Sequence, residues 1–188
     1  MSAEVRAERK DRLTGLLALA AGIILSAVVL FGSTEPGWVL NQQSFIPYLN
    51  CETIYEKVFS IGFTISGTLV AIFGVDLIWL RRRDVLSAAG VLFLIAGLIS
   101  MNITLFVSGW DSHGMLMEAM ALCILLGISL MNANDWIEER FLAGGISLVL
   151  ILALLALLII NGISGFWVPA TYGFSAWLII QGLKFLSE

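Results

Sequence analysis

The stretch Phe141-Leu-Ala-Gly-Gly-Ile-Ser-Leu-Val-Leu-Ile-Leu-Ala-Leu-Leu-Ala-Leu-Leu-Ile-Ile160 carries no charged side chain and a single hydroxyl. At 1.5 Å of rise per residue, a helix of this length spans about 30 Å, the hydrocarbon thickness of a bilayer. In lipid its apolar sides need no cover, and its backbone groups bond within the helix. Five further apolar runs lie at about 13–32, 55–80, 85–107, 115–131 and 167–185. A barrel strand would be about half as long and alternate in polarity. The sequence therefore predicts an all-α fold: an integral membrane bundle of six transmembrane helices forming one domain over residues 1–188.

Composition points the same way. The chain is 59% hydrophobic and 13% charged, against roughly 45–50% and 25% for soluble domains. So few charges cannot coat a water-exposed surface. The net charge of −4, with no basic patch interleaved with aromatics, argues against nucleic acid as a partner. Cys51 and Cys123 form neither a disulfide framework nor a thiolate metal motif. Basic residues precede the first apolar run, as in a signal peptide. The run is too long for one and lacks a small-x-small cleavage site, so it reads as a retained helix.

The links at 81–84, 108–114, 132–140 and 161–166 are short, which makes sequential helices antiparallel neighbours. The outer loop 33–54 is longer and holds Pro36, Pro47, Asn41, Gln42, Gln43 and Asn50, residues that favour turns. Orientation follows from Lys and Arg. With the N-terminus inside, Arg6, Arg9, Lys10, Arg12, Arg81, Arg82, Arg83, Arg140 and Lys184 are cytoplasmic and only Lys57 is outside. The positive-inside rule then places both termini in the cytoplasm of a multi-pass cell-membrane protein. The charge-alternating segment from Ala3 to Leu13 extends the first helix beyond the membrane by a turn or two.

Polar residues are few enough to weigh singly. Glu52, Glu56, Ser60, Thr64 and Thr68 recur every fourth position of the second helix, a slowly winding stripe descending from the outer end. Gly67, Ala71 and Gly74 lie beside it. Such residues support close helix packing; the alternative is one wall of an outward-facing polar cavity. Glu118 falls about one turn inside the outer boundary of the fourth helix, where an ionisable group is either functional or reaches water. Asn102 and Ser60 lie at similar depth. His113, the only histidine, sits with Asp111 in the tight outer link. It is five residues from Glu118, about 140° around a helix, so one helix cannot aim both at one ion. No metal and no cofactor is expected. Asp76, one turn from the inner boundary, is read as snorkelling toward Arg81 or water. The run Arg81–Arg83 anchors topology.

Phe59-Ser-Ile-Gly-Phe-Thr-Ile-Ser-Gly67, Leu92-Phe-Leu-Ile-Ala-Gly-Leu-Ile99 and Gly165-Phe-Trp-Val-Pro169, the last followed by Trp177, resemble segments of the domain-of-unknown-function 998 family. With His113 before the fourth helix, the resemblance spans about 50–186. It implies a six-helix prokaryotic or archaeal membrane protein and brings no assigned activity.

Three roles follow from these residues. The first is binding of a small molecule or lipid headgroup in an outward-facing polar cavity formed by Glu56, Ser60, Thr64, Asn102, His113 and Glu118, with Tyr172 and Ser175 as further candidates. The second is a structural or accessory subunit, with a membrane-protein partner or a second copy of the chain against the featureless fifth helix. The third is a proton-coupled transporter or intramembrane enzyme using Glu118 and Asp76. No catalytic constellation is apparent, so a non-enzymatic role is the expectation, with the lipid bilayer as the one general partner.

Overall fold

In the computed structural model the described backbone covers residues 3–34, 54–80, 84–105, 110–161 and 167–187; within it, the side chains of 3–11, 56, 80, 103–105, 110–114, 157, 158, 161, 167 and 168 are outside the description. Six helices account for nearly all of it: α1 (Ala3–Gly32), α2 (Ile54–Leu80), α3 (Asp84–Leu105), α4 (Trp110–Ile137), α5 (Phe141–Asn161) and α6 (Trp167–Ser187). No strand occurs among the described residues. Four helices contain a stretch long and apolar enough to cross a membrane: Arg12–Gly32, Lys57–Trp79, Asp84–Asn102 and Met115–Ile137. In α5 the apolar stretch that can be described is Phe141–Ala156. The chain has the build of a membrane protein.

Two boundaries differ from the sequence reading. Helix α4 begins at Trp110, so Asp111 and His113 lie in its first turns rather than in a link. It also runs on through Asn132-Ala-Asn-Asp135, a polar tetrad expected to be loop. The tetrad stays helical because its charge is met: Lys184 of α6 donates to Asp135. The helix then closes in a Schellman turn. Arg140 N–H donates to the Asp135 carbonyl at 2.8 Å and Glu139 N–H to the Trp136 carbonyl at 3.2 Å, the paired bonds that satisfy the last carbonyls. Glu139 takes the left-handed position, with φ of 60°.

Each helix packs on its sequence neighbours, and α6 packs on α1, so the six form a closed ring. Two seams bring backbones close. In the α1–α6 seam a Cβ added to Gly15 would lie 2.8 Å from the Gly182 carbonyl, and one added to Gly22 would lie 2.7 Å from the Ser175 carbonyl. In the α2–α3 seam, Gly74 and Gly90 face each other, with a Cβ on either reaching the other's carbonyl at 2.5 and 2.6 Å, and Gly67 faces Gly97. The seam residues lie seven apart on each helix, nearly two full turns, so both contacts fall on one line. Hydroxyls add cross-links: Ser66 donates to the Ala21 carbonyl at 3.0 Å, Ser100 to that of Phe63 at 3.2 Å, and Ser26 to Ser175 Oγ at 2.8 Å. Bonds of this kind are worth about 0.6 kcal/mol each in lipid, so close packing carries more of the seam.

Large rings fill the centre. Phe93 of α3 lies 5.3 Å from Trp177 and 5.6 Å from Phe73, ring centre to ring centre. Phe185 packs edge-on against Phe73 at 6.4 Å. Helix α6 thus meets α2 and α3 across the ring. Helix α5 is held most loosely. Its contacts include Ser147, which accepts a bond from the Trp177 indole N–H at 3.2 Å, Leu154, which covers Gly173, and Phe141, which packs on Trp136 of α4.

Candidate functional site

Among the described residues, a cavity and a set of unpaired buried polar atoms lie at opposite ends of the bundle. The first is a cavity of about 60 Å³ in the half far from Ala3 and Ser187. All six helices contribute to its walls, among them Leu25, Phe63, Ala96, Ile124, Leu154 and Phe174. Its polar contributors are Ser66, Ser100 and Thr171. Ser66 and Ser100 already spend their hydroxyl protons on backbone carbonyls, so the cavity offers an apolar wall to whatever enters. Helix α4 supplies Met120, Ala121, Ile124 and Leu125, and α6 supplies Ala170, Thr171 and Phe174, while among the described residues α5 contributes Leu154.

The second region lies at the end where the termini meet. Lys184 Nζ donates to Asp135 Oδ1 and, at 3.5 Å, to Gln181 Oε1. Asp135 and Gln181 are each 0% exposed. The second oxygen of the carboxylate, Asp135 Oδ2, finds no partner, nor does Gln181 Nε2, nor the buried Asn132 Oδ1. Asn132 and Asp135 are three apart on α4, and Gln181 and Lys184 three apart on α6, so each pair shares a helix face. A third polar contact links α1 and α2 at the same end: Thr14 Oγ1 donates to Asp76 Oδ2. The acid therefore has a partner on a neighbouring helix besides any contact with Arg81, which lies outside the described residues.

The residues singled out in the sequence are distributed differently. Ser60 is buried, and Thr64 and Thr68 donate at 2.8 Å to the carbonyls four residues earlier, Ser60 and Thr64. Asn102 is exposed and donates to its own helix at Leu98, 2.8 Å away. Glu118 is exposed on the face that also carries Met115 and Leu122. None of these five lines the cavity. The side chains of Glu56 and His113 lie outside the described residues, as do Cys51, Glu52 and the loop over 35–53. Ser175 is buried and donates to the Tyr172 carbonyl at 2.9 Å. Among the described residues no group of three His, Cys, Asp or Glu side chains is placed to hold a metal ion.

Sequence reasoning missed Asp135 and Gln181. The available signal was Gln181, an amide three residues before the only lysine of the last helix, at the same end as the polar tetrad 132–135. Comparison with known proteins finds no match among family models, curated proteins or solved structures.

Proposed function

We propose that the chain crosses the cell membrane six times with both termini in the cytoplasm, and that the cavity among its helices holds the end of an apolar chain, from a lipid or an amphipathic small molecule. The observation that carries this reading is the cavity, to which all six helices contribute walls. Its 60 Å³ is far below the roughly 300–1,000 Å³ of sites that enclose a whole small molecule. Apolar walls with occupied hydroxyls favour methylene groups over a headgroup. This reading rests on apolar walls rather than on the polar set expected from sequence, of which the Glu56 and His113 side chains lie outside the described residues. The orientation rests on nine cytoplasmic Lys and Arg residues against Lys57. The likeness to the domain-of-unknown-function 998 family belongs to the same proposal and adds no activity.

A phospholipid with a diazirine near the end of one acyl chain tests the reading. In native membranes, photolysis should mark Ala121, Ile124 or Leu125 inside the cavity as well as Leu122, which is 58% exposed on the same helix. Ala121→Leu should remove the interior adducts and leave those at Leu122. Adducts confined to Leu122 and other outward residues would end the proposal.

A further inference from the structure

The cavity and the unpaired polar cluster involve the same two helices. Helices α4 and α6 both line the cavity in the far half, and among the described residues α5 adds Leu154. Leu125 and Phe174 line that cavity, and each lies seven residues before a member of the polar cluster, Asn132 and Gln181. Seven residues of helix rise about 10 Å. The same two helices line the cavity in one half and are linked by the buried Asp135–Lys184 pair in the other. Between the two levels lie Ile128, Met131, Trp177 and Leu178, all buried.

The join is incomplete as chemistry. Asp135 Oδ2, Asn132 Oδ1 and Gln181 Nε2 are buried and unpaired, and a buried polar group without a partner is unfavourable until it meets one or reaches water. A water molecule can donate to two acceptors and accept from one donor, whereas a ligand hydroxyl can donate to one of the acceptors and accept from the amide. Opening this end would solvate all three. The pair that holds this end shut leaves its own neighbours unsatisfied, and that cost works against closure.

We propose that the α4–α6 seam is a translocation path for the molecule whose apolar end occupies the cavity, and that Asp135, Lys184 and Gln181 form the gate closing its cytoplasmic end. This rests on the cavity reading above. A ligand on this path has an apolar body for the far half and a hydroxyl or similar group that donates to Asp135 Oδ2 and accepts from Gln181 Nε2 as it leaves.

The test needs no ligand, so its failure is separable from failure of the lipid cross-linking. With Cys51 and Cys123 replaced by alanine, a cysteine is placed at Met131, one turn before Asp135 and 1% exposed, or at Ala18, 0% exposed on α1. A membrane-impermeant methanethiosulfonate is presented to inside-out and right-side-out vesicles. With the pair intact, Met131→Cys should react slowly from the cytoplasmic side and faster than Ala18→Cys, because the gate opens spontaneously. Asp135→Asn or Lys184→Met should speed the Met131→Cys reaction from that side by about tenfold or more, as a rare opening becomes a populated one. Equal protection of the two cysteines in the chain with its pair intact would overturn the gate, whether or not the pair variants fold. So would an unchanged rate in both variants, or an equal gain at Ala18→Cys, which would mark a general loosening.

Discussion

Removing one partner of a buried ion pair leaves the other charged in a poor solvent, at a cost of about 3–5 kcal/mol. Asp135 is fully enclosed while the Lys184 side chain keeps 12% of its exposure, so the lysine can turn to water more easily than the carboxylate can. Lys184→Met, which strands the carboxylate, is therefore expected to destabilise the protein more than Asp135→Leu, which strands the lysine. The double variant should recover most of the loss, since an apolar pair of similar volume needs no partner. Equilibrium unfolding in mild detergent measures all three. Asp135 was not legible from the sequence because its neighbours Asn132 and Asn134 make a polar run, and polar runs between apolar ones read as links. What rescues the run is a residue 49 positions away in the chain, and no local pattern reports that. Asp76 was legible as an acid near the boundary, but its contact with Thr14 of α1 depends on helix rotation, which hydropathy leaves free.

At the level of elements, the glycine seams and the end of α4 yield opposite expectations. Gly74→Ala would set a methyl 2.5 Å from the Gly90 carbonyl and 2.6 Å from Leu94 N, both backbone atoms that cannot swing aside. The helices must part, at an expected cost of about 1–3 kcal/mol. Gly145→Ala on α5 meets nothing within 4 Å and should stabilise by up to about 1 kcal/mol through helix propensity alone. Thermal denaturation of the two variants side by side separates packing from propensity. Glu139→Gly should stabilise by about 1 kcal/mol, since glycine occupies the left-handed position of a Schellman turn without a Cβ clash; a lower melting temperature would contradict this. Apolar runs showed where α2, α3, α5 and α6 lie to within a residue or two, because lipid selects for length. They located the ends of α4 poorly, because there the helix leaves the apolar stretch behind. The small face of Gly67, Ala71 and Gly74 was readable; its partner, Gly90 and Gly97 on α3, became apparent only with the pairing known.

For the molecule as a whole, the ring closes through its centre as well as around its rim. Phe93 is 0% exposed and touches Phe73, Phe174 and Trp177. Phe93→Ala is expected to cost about 3–5 kcal/mol and to enlarge the neighbouring cavity, where Phe174 is a shared wall. A lower melting temperature together with more acyl-chain cross-linking at Ile124 would show both effects; unchanged cross-linking would mean that the space collapses. The contact between α1 and α6 also sets a timetable. Gly15 and Gly22 find their seat on Ser175 and Gly182, residues made roughly 160 positions later. While the ribosome is still supplying the intervening helices, the first one has half of its narrow face pressed against nothing but lipid or a chaperone. The ring can be sealed only once the sixth helix has been made, so a chain stopped before Trp167 would lack the partner that covers Gly15 and Gly22.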